Sequence, residues 1–145
     1  MDLQACMKIL AVLCCGIFTG AATYVNLVEH PARMSCGASL ALTEWAPSYK
    51  RGALMQAPLA VLGCAFALTA WLAGAGFWWL VGAVLIGLVV PFTLIIIMPV
   101  NKRLLASFAS TASDDTRRLL DRWNRLHAVR SLLSVTAFVI FLFNF

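Results

Sequence analysis

The stretch from Phe77 to Met98 reads FWWLVGAVLIGLVVPFTLIIIM and contains no charged side chain. A helix that crosses the hydrocarbon core of a bilayer needs roughly 20 consecutive apolar residues, and this stretch supplies them. Pro91 removes one intrahelical hydrogen bond and predicts a kink, and Pro99 is expected to mark the end of the helix. The stretch therefore predicts a transmembrane helix over 77–98.

Three further apolar stretches qualify as spans, over 6–28, 53–73 and 128–143. The first continues past Ala22 and is longer than the apolar region of a secretory signal peptide, which favours a retained helix. The fourth is short, and an amphipathic helix over 115–127 with Ser113 as its N-cap is expected to extend it. The sequence thus predicts an all-α membrane protein, with residues 1–145 forming one four-transmembrane-helix bundle.

The composition leads to the same fold class. Hydrophobic residues make up 62% of the chain and charged residues 12%, and the mean hydropathy is +0.89. A soluble domain carries about 25% charged residues, so half of the usual charge cannot keep such a surface hydrated and the lipid bilayer is the expected partner. Five cysteines without a C-x-x-C pair disfavour a membrane thiol oxidoreductase.

The net charge of +5 is better explained by membrane topology than by nucleic-acid binding, and no nucleic-acid partner is expected. The basic residues concentrate in two long connections, 29–52 and 99–127, whereas the turn at Gly74 has none. The positive-inside rule places both connections in the cytoplasm and both termini on the opposite side, and no signal names an organelle. Faces of small residues suit either packing within the bundle or a homo-oligomer.

Four alternating spans bring the polar residues at the ends of the helices to one leaflet. Polar groups so close to lipid need partners or water, which makes them candidates for a site. They are Asn26, Glu29, His30, Arg51, Gln56, Asn101, Lys102, Trp123, His127 and Arg130.

His127 and Arg130 lie three residues apart on one helix face, with Trp123 one turn earlier. One interpretation makes His127 a general base in a cleft, positioned by Glu29 and covered by Trp123. The other makes His127 and Arg130 interfacial anchors, with Glu29 and Arg130 as an ordinary ion pair. Glu29, His30 and His127 could instead form a two-histidine, one-carboxylate site for copper or iron, although no metal site is favoured.

Two motifs resemble a known family. PVNKRL at Pro99–Leu104 ends the third span, and LDRWNRLHAVR at Leu120–Arg130 precedes the fourth. Together they resemble the anthrone-oxygenase-like family of small four-helix membrane proteins, and the resemblance extends over the whole chain. The segment Glu29–Arg33 is similar to the animal-type branch of that family.

The resemblance implies oxidation of an apolar aromatic substrate, anthrone-like or quinol-like, with dioxygen as co-substrate and no flavin or haem. His127 would act as base, since imidazole has an unperturbed pKa near neutrality. Arg130 and Asn101 would stabilise the substrate anion. Glu29 would position His127, and Trp123, Gln56 and Asn26 would bind the substrate. The alternatives are a non-catalytic membrane scaffold or a protein that binds lipid or a partner, and a metal-dependent membrane oxidase.

Overall fold

The computed structural model describes residues 2–107 and 112–145. In these ranges the chain forms four long helices and no strand. They are α1 (Leu3–Ser35), α2 (Ala38–Leu72), α3 (Phe77–Leu105) and α4 (Asp114–Phe143). Each is long and apolar enough to cross a membrane, which confirms the all-α, four-helix fold class and makes the chain an integral, multi-pass membrane protein.

The helices form a closed ring in chain order. Each helix packs chiefly against its two neighbours, with α4 returning to contact α1. Short connections enforce this up-and-down order, because α1 and α2 meet at Gly37 and α2 and α3 meet at Gly74. Both glycines have positive φ, at 87° and 96°, a conformation that glycine adopts without steric cost.

All four helices are longer than the apolar spans predicted from the sequence. At about 1.5 Å per residue they reach about 44–53 Å, against about 30 Å for the hydrocarbon core. The additional length lies on the side of the basic connections, so the segments 29–52 and 99–127 are mostly helical rather than loop. The bundle therefore continues beyond the apolar spans on this side, which is called the basic side below.

α2 runs through Pro47 without a break, although proline commonly ends a helix. A proline inside a helix costs about 3 kcal/mol or more. Packing offsets this cost, since Trp45 is fully buried and its ring stacks on Tyr49 with centroids 5.0 Å apart. Ala41 and Leu42 are buried in the same cluster.

Pro99 does not end α3, which continues to Leu105. A π-helical turn at Thr93–Ile97 precedes this proline, and the backbone N–H of Met98 donates to the carbonyl of Thr93. A wider turn accommodates a proline ring and its missing hydrogen bond within a continuous helix. A second π-helical turn lies in α1 at Val25–Glu29.

The start of α4 agrees with the sequence pattern. Ser113 is the N-cap, and its backbone N–H donates to the hydroxyl of Thr116 at 3.3 Å in a reciprocal capping box. Asp114 and Asp115 occupy the first turn, where the helix dipole favours acids. From there a single helix includes both the amphipathic stretch and the fourth span.

The buried apolar residues form two separate clusters along the bundle. The turn-side cluster contains Ala11, Cys15, Phe18, Ala22, Ala60, Ala67, Ala70, Trp79, Ala83, Ile86, Val89, Ala137 and Phe141. The basic-side cluster contains Ala41, Leu42, Trp45, Ile97, Val100, Leu104, Leu120 and Trp123. The polar residues of interest lie between the two clusters.

Candidate functional site

A cavity of about 940 Å³ lies between the two apolar clusters and is bounded by all four helices. Phe18 and Val89 of the turn-side cluster line one end, and Ile97 of the basic-side cluster lines the other. Tyr24 and Leu94 also line it and are more than half exposed on the outside of the bundle. The cavity therefore reaches the lipid-facing surface, and its volume suits a small organic molecule.

His127 lines the cavity and is 3% exposed. Its Nδ1 atom lies 2.9 Å from the amide oxygen of Asn26, on the π-helical turn of α1. Trp123, one turn earlier on α4, places its ring 4.9 Å from the imidazole and tilted by 35°. Trp123 thus lies against the imidazole, as expected, but Asn26 is the residue that holds it.

Arg130 provides a positive charge at the cavity wall. Its Nη2 atom donates to the side-chain oxygen of Gln56 at 3.0 Å, and its guanidinium lies 5.4 Å from the ring centroid of Phe18. Its Nε atom is buried without a hydrogen-bond partner. Among residues 2–107 and 112–145, no carboxylate forms an ion pair with Arg130. A partly buried cation without a counter-charge is well suited to an anionic ligand.

Asn101 is the second unsatisfied group in the cavity. Its side chain is 1% exposed, and neither the amide nitrogen nor the amide oxygen has a partner among the described residues. A buried amide with a free donor and a free acceptor costs free energy unless a ligand or water satisfies it. Asn101 can therefore donate to one polar atom of a ligand and accept from another.

Glu29 lines the cavity, but the structure places it against neither His127 nor Arg130. Its carboxylate accepts hydrogen bonds from Arg33, four residues later on the same helix, and from Ser48 on α2. Both roles expected for Glu29, positioning His127 and pairing with Arg130, are therefore wrong. The reason is local. Residues four apart on a helix are neighbours, so the carboxylate of Glu29 pairs with Arg33 rather than with Arg130.

The three residues of the alternative metal site are not brought together. His30 does not line the cavity, and its Nε2 atom lies 3.8 Å from a carboxylate oxygen of Asp121. Glu29 is bound to Arg33, and His127 to Asn26. Within the described ranges, no three His, Cys, Asp or Glu side chains form a group that could hold a metal ion.

Four polar residues around the site were not identified from the sequence. Ser131 donates to the amide oxygen of Asn26 at 2.6 Å, and Asn124 accepts from the amide nitrogen. Arg33 is 5% exposed and forms a second ion pair with Glu44 at 2.6 Å, while Tyr49 lines the cavity. Helical spacing was a usable signal for Ser131, which lies one turn after His127 on the same face.

Comparison with known proteins assigns the family. The family model described as anthrone oxygenase matches residues 45–140. Anthrone oxygenase tpcL of Aspergillus fumigatus is 31% identical over 140 residues, which cover 90% of this chain and 87% of that protein. No solved structure matches the chain. Together with the two motifs at the ends of the helices, these matches show that the chain belongs to the anthrone oxygenase family.

Proposed function

We propose that this protein oxidises an anthrone-like aromatic substrate with dioxygen, and that His127 removes the proton which starts the reaction. Membership of the anthrone oxygenase family supports an oxygenase-like function. The observation that carries the proposal is the convergence of His127, Arg130 and Asn101 on one apolar cavity. A base, an unpaired cation and an unsatisfied amide are the groups that formation of a carbanion requires.

The substrate chemistry explains this choice of residues. The methylene group of an anthrone lies opposite a ketone, so removal of one proton gives an aromatic, phenolate-like anion whose charge is centred on the ketone oxygen. His127 accepts the proton, while Arg130 and Asn101 stabilise the oxygen on which the charge develops. Trp123 and the apolar wall at Phe18 and Val89 provide a surface for a planar ring system.

Dioxygen completes the reaction as co-substrate. The anion transfers one electron to dioxygen, and the two radicals combine at the former methylene carbon to give a peroxide, which regains a proton from the imidazolium of His127. Loss of the remaining C–H proton and cleavage of the O–O bond release water and leave a second ketone. One anthrone and one dioxygen thus give one quinone and one water, with no external reductant.

The decisive assay measures anthrone consumption and oxygen uptake by protein purified in detergent. His127→Ala is expected to lower turnover by about 10²- to 10⁴-fold, the usual contribution of a positioned base, while the bundle still folds. His30→Ala is the matched control, because His30 is equally buried but does not line the cavity. Equal turnover by wild type and His127→Ala would remove His127 from the mechanism.

No resident cofactor takes part in the proposed reaction, and copper or iron is the alternative. Elemental analysis of the wild type beside His127→Ala distinguishes the two mechanisms. The proposal expects neither metal at one equivalent in either sample. One equivalent that disappears in the variant would contradict it and move the chemistry to a metal centre.

The apolar substrate would reach the site from the bilayer, since the cavity is lined partly by side chains exposed on the outside of the bundle. We further propose that the basic side faces the cytoplasm and that both termini lie on the opposite side, following the positive-inside rule. A homo-oligomer would use the small-residue faces of the helices. Nucleic acid has no part in this function.

A further inference from the structure

Asn26 joins α1 to three residues of α4 through its side-chain amide. The amide nitrogen donates to the backbone carbonyl of Asn124 at 3.0 Å and to its side-chain oxygen at 2.7 Å. The amide oxygen accepts from the hydroxyl of Ser131 at 2.6 Å and lies 2.9 Å from Nδ1 of His127. Asn26 lies on the π-helical turn of α1, a feature that often marks functional sites.

The orientation of this amide is fixed by its surroundings. A backbone carbonyl can only accept a hydrogen bond, so the amide nitrogen of Asn26 must face the carbonyl of Asn124. The reverse orientation would place two oxygens 3.0 Å apart without a hydrogen between them. The amide oxygen must therefore face His127 and Ser131.

This orientation determines which nitrogen of His127 holds the proton. An amide oxygen only accepts, so Nδ1 of His127 must donate, and in the neutral ring Nε2 then carries the lone pair. Asn26 does not line the cavity, whereas His127 does, so the edge of the ring away from Asn26 is the one that a ligand meets. We infer that Asn26 is a positioning residue which fixes His127 in its Nδ1–H tautomer and presents Nε2 as the proton acceptor.

The inference deepens the proposed function, and its catalytic consequence rests on that function, although the tautomer does not. An unconstrained histidine prefers its proton on Nε2, and that tautomer would present a donor to the cavity instead of a base. The hydrogen bond to Asn26 selects the Nδ1–H tautomer of His127 before any substrate binds. The role differs from the substrate-binding role expected for Asn26 from the sequence.

The tautomer is measured directly by ¹⁵N NMR of purified protein with labelled histidine. The chain has two histidines, so His30→Gln assigns the signals of His127. The wild type is expected to show a protonated Nδ1 and an unprotonated Nε2. In Asn26→Leu the acceptor is lost, and the ring is expected to move to the Nε2–H form or to a mixture.

Two further variants separate positioning from general packing. Asn26→Asp keeps an acceptor oxygen opposite Nδ1, and in its protonated form the other oxygen donates to the carbonyl of Asn124 as the amide nitrogen does, so Nδ1 is expected to retain the proton. Ser131→Ala removes the other hydrogen bond to the amide oxygen but keeps the acceptor, and it is expected to retain the wild-type signals. A shift of the tautomer in Ser131→Ala, or no shift in Asn26→Leu, would contradict the assignment to Asn26.

An Nε2–H tautomer in the wild type overturns the inference even if no variant folds. Turnover is a separate readout, since Asn26→Leu is expected to lower kcat by about 10²- to 10⁴-fold with little change in KM. Unchanged kcat together with a shifted tautomer would overturn the catalytic consequence. A wild type with the expected tautomer but no anthrone turnover would instead refute the proposed function and leave the positioning role of Asn26 intact.

Discussion

Two arginines at the site differ in their pairing, and this difference predicts opposite effects of the same substitution. Arg33 is buried and contacts the carboxylates of Glu29 and Glu44, whereas Arg130 is partly buried and contacts the neutral side chain of Gln56. Arg130→Gln removes a partly buried charge that has no counter-charge, so stability is expected to stay the same or rise. Turnover is expected to fall by about 10²- to 10³-fold, the usual effect of losing one group that stabilises an oxyanion.

Thermal unfolding and kcat of each variant test this contrast. Arg33→Gln is the matched control, and it is expected to lose stability because it leaves two carboxylates without their cation. A stability loss in Arg130→Gln with retained turnover would make Arg130 a structural residue.

Asn101 predicts a similar separation of binding from stability. Its amide has no partner among the described residues, so Asn101→Leu, of similar volume, removes no protein hydrogen bond and is expected to unfold at the same or a higher temperature. kcat/KM for a ketone substrate is expected to fall about 3- to 10-fold, because one hydrogen bond contributes about 0.5–1.5 kcal/mol. An unchanged kcat/KM would show that Asn101 does not contact the substrate.

The sequence predicted that the candidate residues lie at one level of the bundle. It did not predict all of their hydrogen-bond and ion-pair partners. Gln56, Asn101, Trp123, His127 and Arg130 all line one cavity, as alternating spans require. The partner of His127 was missed because a π-helical turn directs Asn26 towards α4, and neither hydropathy nor spacing reveals such a turn. The roles of these residues remain predictions.

At the level of the helices, one glycine controls the contact between α3 and α4. A Cβ atom at Gly82 would overlap the ring of Phe141, which is fully buried and stacked on Trp79 with centroids 4.8 Å apart. The ring cannot move aside, so Gly82→Ala is expected to destabilise the bundle by about 1–3 kcal/mol, as overpacking usually does. Thermal unfolding in detergent measures the loss.

Gly20→Ala is the control for this prediction, since nothing lies within 4 Å of its added Cβ. That variant is expected to be as stable as the wild type or slightly more stable, because alanine favours a helix more than glycine. Equal effects of both substitutions would show that the Gly82 contact does not limit the approach of α3 and α4.

The helix boundaries show where packing between helices overrides the helix ends that the local sequence predicts. Pro99 was expected to end a helix, yet Pro99 and Pro47 both lie inside continuous helices. Trp45 and its neighbours on the basic side pack against residues of other helices, and this packing stabilises the continuous helix. A pattern within one stretch of sequence does not reveal such contacts between helices. Ser113 behaved as expected because capping depends only on residues within one turn.

For the whole molecule, hydropathy alone was sufficient to predict the fold class. Lipid leaves few alternatives to helices, because every backbone polar group in the hydrocarbon must be bonded within the segment. Four apolar stretches therefore gave four spans. The cavity between the two apolar clusters is harder to predict from the sequence. Its size depends on the distances between four helices at one depth in the bundle, and hydropathy does not give these distances.

The orientation of the bundle in the membrane gives the last prediction. Cys36 is exposed at the connection between α1 and α2, on the basic side, so it reports which compartment that side faces. In a variant with Cys6, Cys14, Cys15 and Cys64 replaced by alanine, a membrane-impermeant maleimide is expected to label Cys36 only after the plasma membrane is opened. Phe145→Cys combined with Cys36→Ser places the thiol at the opposite end, and opening the plasma membrane is expected not to increase its labelling. The reverse pattern would place the basic side away from the cytoplasm, so that lysine and arginine would not set the topology as they usually do.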